Sequence, residues 1–280
     1  MVRLIAFVVG LTFVVALLFG AVIPRDAVVP DPVLKYHLQP RDVKFQQDGP
    51  MGFSPLGTFD RGQLQRGYQV YKEVCSACHS LHRIAFRNLG DLGFSPAEVK
   101  ALAKQSEVPS IDDKTGEANT RKAIPADKIP GPFANETAAR AANNNALPPD
   151  LSLITKARED GEHYVYSLLT GYREAPKDWT VPDGLYYNPY FRSLNVAMPP
   201  PLSADGQITY SDGTKSTVDQ NAKDVAAFLT WAAEPSLETR RRTGVGAVVF
   251  LLILTVLSYL SYQRVWAGLK RRRPEAVPTE

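Results

Sequence analysis

Both cysteines of this 280-residue chain lie in one short stretch, Cys75-Ser76-Ala77-Cys78-His79, and no other feature restricts the possible folds so strongly. C-x-x-C-H is the attachment signature of a c-type haem. The spacing has a mechanical basis. Two thiols add across the two vinyl groups on one edge of the porphyrin, and the adjacent histidine is then held at the iron as a proximal ligand. One motif implies one haem c, bound through two thioethers at Cys75 and Cys78, with His79 as an iron ligand. Other uses of the pair fit worse. A zinc site from Cys75, Cys78, His79 and His82 would crowd its ligands into one short run, without the separate second pair that structural zinc sites have. A thioredoxin-like dithiol needs a βαβ context, and none is visible. A disulfide closing so small a loop would be strained.

A six-coordinate iron needs a second axial ligand. His82 is too close in sequence to His79 to reach the opposite face; His37 and His163 qualify by residue type. Methionine is scarce: Met1, Met51 and Met198. Met1 precedes an apolar run, and Met51 sits in the loop-like stretch "DGPMGF". Met198 directly precedes Pro199-Pro200-Pro201, and consecutive prolines stiffen a chain in an extended form that suits a ligand strand. Met198 is therefore the expected ligand, with Met51 the second methionine to weigh. Thioether ligation raises the potential of the iron, and a closed iron suits electron transfer better than substrate chemistry.

Two runs, Leu4–Ile23 and Thr243–Tyr262, are almost free of charge. Each is about 20 residues, enough to cross a bilayer core of roughly 30 Å as a helix. Arg264 and Lys270 to Arg273 follow the second run, which assigns the C-terminus to the cytoplasm and the middle of the chain to the opposite side. Arg240 to Arg242 on the other flank are read as anchors to lipid headgroups. Arg3 and the first run look like the start of a secretory signal. Leu18 and Phe19 stand where small residues would precede a cut, so an uncleaved anchor is the preferred reading. The formal charge of +3 is misleading. Nine of the 32 basic residues lie outside Pro24–Thr239 with only two of the 29 acidic ones, leaving 23 against 27 in the middle. A mildly acidic domain is not a nucleic-acid binder and suits a basic protein partner. Asp112, Asp113, Glu159, Asp160 and Glu162 could steer one, although solvated loop charge explains any single residue.

Between the apolar runs, helical spacing dominates. Residues 24–62 read as irregular chain. Leu64, Tyr68 and Tyr71 recur at helical spacing up to Cys75. Ser95, Pro96 and Glu98 form a helix-start signature. Residues 106–133 are polar and read as a surface loop. A helix near Ala138 ends in Asn143-Asn144-Asn145; a short one capped by Asp150 or Ser152 ends at Gly161; another runs from Glu162 to Thr170 and closes at Gly171. Residues 207–218 alternate weakly around Ser211-Asp212-Gly213, a hairpin pattern. Val225, Phe228, Leu229 and Ala232 mark one face of a last helix before Pro235.

In order along the chain stand "GYQVYKEVCSACHSL", "ARAANNNALPPDLSLITKARED", "YVYSLLTGYREAP", "GLYYNPYF", "AMPPPL", "AKDVAAFLTWAAEP" and a final apolar run. From about Leu64 onward this closely resembles the cytochrome c1 family, the haem subunits of the quinol–cytochrome c reductase (cytochrome bc1) complex. The resemblance implies an all-α, class I cytochrome c-like haem domain with long loop insertions, carried by a C-terminal transmembrane helix. It implies a signal peptide or anchor at 1–23, a periplasmic haem domain at 24–239, a span at 243–262 and a cytoplasmic basic tail at 263–280 of a bacterial inner-membrane protein. Cys75 and Cys78 would bind haem, His79 and Met198 would be axial ligands, and Arg158 and Tyr164 would lie near the propionates, with Asn143 in pocket-lining chain. Cytochrome b and a Rieske iron–sulfur subunit are implied as partners, cytochrome c as acceptor and lipid around the anchors. The chain would be no enzyme by itself. A free-standing anchored cytochrome c carrier is the alternative, but few residues separate Trp231 from Arg242, which leaves little linker for a shuttle.

Overall fold

The computed structural model describes residues 2–22, 31–47, 49 and 56–271; Met51, Pro24 to Pro30 and the tail from Arg272 lie outside the described residues. Two units are present, Met1–His37 and Leu38–Glu280. The first contains α1 (Val2–Val22) and the short α2 (Pro32–Tyr36), whose N-cap Asp31 accepts from the Val33 N–H. The apolar side chains along α1 are exposed, as a membrane-crossing helix requires.

The second unit runs, in chain order, α3 (Arg61–Glu73), β1 (Leu81–Ala85), α4 (Pro96–Ala103), β2 (Glu107–Ile111), β3 (Ala118–Lys122), β4 (Lys128–Ile129), α5 (Glu136–Ala142), α6 (Gly161–Leu169), β5 (Tyr186–Tyr187), β6 (Asn195–Val196), α7 (Val218–Ala233) and α8 (Leu237–Arg271). Its centre is the crossing of α3 and α7. Asp60 caps α3 through the Gly62 and Gln63 N–H groups, and Thr217 caps α7 through that of Gln220. Leu64, Tyr68 and Tyr71 on α3 face Val225, Phe228, Leu229 and Ala232 on α7, all buried. The Phe228 ring lies 5.7 Å from that of Tyr68 and 5.9 Å from that of Tyr71. Gly67 makes the approach possible: a Cβ there would sit 2.0 Å from the Asp224 carbonyl oxygen and 2.6 Å from the Phe228 Cβ. Charge at the crossing is paired: Arg66 Nε donates to the buried Asp224 Oδ2 at 2.9 Å while its Nη1 reaches Asp212 at 2.7 Å. Helix α6 packs on the same α7.

The chain is predominantly helical, but the described residues also form three two-stranded antiparallel sheets, so "all-α" is too narrow. The polar segment read as loop is in part a hairpin, with β2 pairing β3 from Glu107↔Lys122 to Ile111↔Ala118. Asp112 closes its turn by accepting from the Lys114 and Thr115 N–H groups. Only Val108 of this hairpin is buried, so there was no apolar alternation to read. Strand β4 pairs with β1, and β5 with β6. The hairpin expected at 207–218 is absent. Ile208 and Tyr210 alternate because both are buried side chains, and the Tyr210 and Ser216 hydroxyls reach Asn221 of α7 at 2.8 and 3.1 Å. That segment docks on a helix instead of forming a ladder. Gly161 starts α6 rather than ending a helix, and after Asp150 there is only a 3-10 turn, Leu151–Leu153. Among its described residues, the N-terminal stretch is irregular apart from α2, an antiparallel bridge between Gln47 and Thr58 and the start of α3 at Arg61.

Helix α8 has 35 residues and exposed apolar side chains from Val248 to Trp266. Only Glu234, Pro235 and Ser236 separate it from α7. Glu234 accepts from Lys156 Nζ at 2.6 Å and from Arg240 Nε, while Glu238 accepts from the Phe59 N–H and from Arg61, both at 2.7 Å. The start of this long apolar helix is thus tied to the globular part on two sides.

Candidate haem centre

The cysteines follow directly from α3. Cys75–Ala77 form a 3-10 turn, and the His79 N–H donates to the Cys75 carbonyl at 2.9 Å. Both thiols are free; Cys75 is half-buried and packed against the core, and Cys78 is exposed. Burial, and then the neighbouring Cys78, push the Cys75 thiol up to about 12. The Tyr71 hydroxyl donates to the His79 carbonyl at 3.2 Å.

His79 Nδ1 lies 2.8 Å from the Pro149 carbonyl oxygen. A carbonyl only accepts, so this contact puts the ring proton on Nδ1 and leaves the Nε2 lone pair for a metal. Burial lowers the His79 pKa, against the Pro149 carbonyl and Asp150, which raise it. Neutral imidazole is the ligating form. The proline segment is itself strapped down. Asp150 accepts from Ser80 Oγ at 2.7 Å and from the His82 and Ser152 N–H groups at 2.9 Å. The Leu151 N–H donates to the Ser80 carbonyl at 2.9 Å, and the Arg83 N–H to Ser152 Oγ at 3.0 Å.

Met198 lies two residues beyond β6, half-buried against the same apolar core as Cys75 and Tyr164. Its strand is aimed by the turn Asn188-Pro189-Tyr190-Phe191. Asn188 is fully buried; its Nδ2 donates to the Leu168 carbonyl of α6 at 2.8 Å and its Oδ1 accepts from the Tyr190 N–H at 3.1 Å. Gly171 permits this docking, since a Cβ there would meet the Tyr190 ring at 2.4 Å. The Tyr172 hydroxyl donates to the Met198 carbonyl at 3.0 Å. Burial, then the neighbouring Tyr164 and Tyr186, raise the Tyr172 pKa above its ordinary value.

Arg158 and Tyr164, which stand six positions apart, are brought together. Burial raises the Tyr164 pKa, while the charge of Arg158 and a hydrogen bond to it act in the opposite direction. The Arg158 guanidinium is exposed and also donates to the Ala157 carbonyl at 3.0 Å. Asn143 is the C-cap of α5: its N–H donates to the Arg140 carbonyl and its Nδ2 to the Ala139 carbonyl at 2.7 Å. Its hydrogen bonds among the described residues stay within α5 and the turn after it, where the Ala146 N–H donates to the Asn143 carbonyl at 2.9 Å. His163 is engaged elsewhere, accepting from the Val43 N–H at 3.1 Å with its ring 5.5 Å from that of Phe45.

The donor set fits a haem c. It offers two unpaired thiols at the required spacing, a histidine with its metal-binding nitrogen free, and a half-buried thioether. Exposed Leu147 and Leu153 flank the Pro149 segment, giving apolar surface that a flat macrocycle could cover. Sequence reasoning missed Pro149, Tyr172 and the docking role of Asn188. Pro149 acts through a backbone carbonyl and could not be seen in a side-chain pattern; the quoted "NPYF" contained Asn188 but not its purpose.

Residues 52–269 match the family model described as the Cytochrome C1 family. Cytochrome c1 of Rhodospirillum rubrum is 46% identical over 231 residues, covering 77% of this chain and 85% of that protein. Cytochrome b/c1 of Bradyrhizobium diazoefficiens is 48% identical over 235 residues, 76% of this chain but only 34% of that longer protein. The mitochondrial heme protein cytochrome c1 of Saccharomyces cerevisiae is 47% identical over 220 residues, covering 78% and 71% of the two chains.

Proposed function

The chain belongs to the cytochrome c1 family, and from that premise we propose that it is the membrane-anchored mono-haem c subunit of the quinol–cytochrome c reductase complex, which takes electrons from the Rieske iron–sulfur protein and hands them to cytochrome c. It is an electron-transfer subunit and performs no bond chemistry by itself; the complex is the enzyme. The observation that carries the site reading is the His79 Nδ1 contact with the Pro149 carbonyl at 2.8 Å, beside two free thiols.

Haem c, when bound, supplies a one-electron couple. The residues of this chain do the holding. Cys75 and Cys78 attach it through thioethers, and His79 offers Nε2, oriented by Pro149. Met198, with the apolar core behind it, would offer its thioether sulfur to the iron. Arg158, paired with Tyr164, presents a guanidinium fork suited to a propionate carboxylate, and Asn143 contributes chain at the pocket edge. The crossing of α3 and α7, with α6 on α7, supports a class I cytochrome c-like frame for the domain.

The relative named cytochrome b/c1, of which this chain spans 34%, supports a b-type partner. Apolar α1 and α8 support lipid contact on both anchors, and the basic residues after α8 support a cytoplasmic C-terminus with the haem domain in the periplasm. A freely shuttling carrier is disfavoured by the three-residue joint between α7 and α8 and the ion pairs across it. Two measurements test the reading. The ferric holo-protein should show the weak far-red band of methionine-ligated haem, and Met198→Leu should abolish it; survival of the band sinks the ligand assignment. In mild detergent the chain should copurify with a b-type cytochrome and an iron–sulfur protein, whereas recovery of the chain alone favours the carrier.

A further inference from the structure

Met198 is followed by Pro199, Pro200 and Pro201, and proline has no backbone N–H. A segment so built cannot be anchored through its own donors, only through its carbonyls. Two of these are gripped. The Tyr172 hydroxyl donates to the Met198 carbonyl at 3.0 Å, and Gln207 Nε2 donates to the Pro201 carbonyl at 2.9 Å. The grips differ in kind. Gln207 is exposed and closes a local loop, accepting from the Ser203 N–H at 3.1 Å. Tyr172 is half-buried, carries its donor on a rigid ring, and leaves α6 just past Gly171, where the Tyr190 ring fills the space a Cβ would take.

We propose that Tyr172 is a positioning residue for the methionine ligand: by holding the Met198 carbonyl it fixes the backbone from which the thioether projects, and so sets how firmly an iron keeps that sulfur. The inference rests on Met198 being the axial ligand. Its physical basis is short-range. The held carbonyl is bonded to the same Cα that carries the side chain. Pro199 already restricts Met198 to extended conformations, and the tyrosine selects one orientation within them. A sulfur that leaves the iron then stays near it and rebinds before a competitor enters, because little conformational freedom has to be lost again.

The test uses the full-length holo-chain in detergent, with the far-red band of the ferric protein followed from neutral to alkaline pH, where stronger ligands displace a thioether. Tyr172→Phe keeps the ring and removes one hydrogen bond. It should retain the band at neutral pH but lose it at lower pH than the parent, a displacement of about three- to tenfold in the ligand equilibrium, the range expected for one hydrogen bond. Tyr166→Phe removes a tyrosine hydrogen bond elsewhere, the charge-assisted one from the Tyr166 hydroxyl to Asp219 Oδ1 at 2.5 Å, and should leave the midpoint unchanged. Met198→Leu should lack the band throughout. A band in Met198→Leu overturns the ligand reading itself. An unshifted midpoint in Tyr172→Phe, or equal shifts in Tyr172→Phe and Tyr166→Phe, overturns the positioning role alone. Carbon monoxide uptake by the reduced protein, measured in unpurified membranes, should rank the variants identically even if one is too weakly folded to purify.

Discussion

The α3–α7 crossing and the segment that carries Met198 are held by opposite means. At the crossing, Gly67 lets two helices touch, aromatic rings interlock, and the large apolar side chains Leu64, Tyr68, Tyr71, Val225, Phe228 and Leu229 are buried. Around Met198 there are two-residue strands, three prolines and a few side-chain hydrogen bonds to carbonyls. Close packing spreads its energy over many contacts, so no single small contact decides it. A polar clasp concentrates the geometry of a ligand in one or two bonds, each contributing about 1 kcal/mol. Scaffold and ligand strand should therefore fail separately and leave different signatures.

The largest effect is expected from forcing the crossing apart. In Gly67→Val the first added carbon would lie 2.0 Å from the Asp224 carbonyl oxygen. Overpacking at such a site should cost about 3 kcal/mol or more, seen as a collapse of the thermal midpoint and of holo-protein yield, with all spectral features lost together. A stable Gly67→Val protein would show that the crossing is looser than described. Asn188→Ala should do the reverse. Removing this buried clasp leaves the Tyr190 N–H without its Asn188 acceptor and takes one donor from the Leu168 carbonyl, which keeps the Gly171 N–H at 3.3 Å, a loss of roughly 1–3 kcal/mol. The far-red band should weaken well below the unfolding temperature, while His79-dependent features persist. If band and fold disappear at one temperature, the two regions are not separable.

The smallest effect lies at the α7–α8 joint. Hydrogen bonding to Arg240 and then Lys156 hold Glu234 down at about 2, against an ordinary value of 4.5. A carboxylate depressed on folding contributes stability that is present above its unfolded pKa and is lost as pH falls through the folded one. The contribution should therefore fade between roughly pH 4.5 and pH 2. Glu234→Gln should remove that acid slope and lower neutral-pH stability by less than about 1 kcal/mol, because both cations that hold the carboxylate are more than half exposed. Thermal midpoints of both proteins, compared at neutral and acid pH, check the sign.

The same division governs what could be read beforehand. The cysteine motif, the Ser95–Glu98 capping box and the apolar face of α7 were legible because each is a side-chain pattern with a fixed period or spacing, and all are present. The hairpin of β2 and β3 was not, since its strands are polar and almost wholly exposed. Residues 207–218 misled because burial of Ile208 and Tyr210 against helices imitates a strand. At the candidate site, the sequence pointed to side chains proposed as ligands. It was silent on Pro149 and on the carbonyl of Met198, which work through the backbone and so leave no mark of residue type.

The joint of Glu234, Pro235 and Ser236 has no slack. If α8 spans a membrane as proposed, a haem domain mounted this way would stand at one height above the bilayer, like a platform rather than a vehicle. Electrons cross only short gaps, so a platform that does not travel leaves the travelling to its visitors. Turnover would then be timed by how quickly a donor arrives and an acceptor departs, and splicing a flexible tether into this joint would add a search that the short connection makes unnecessary.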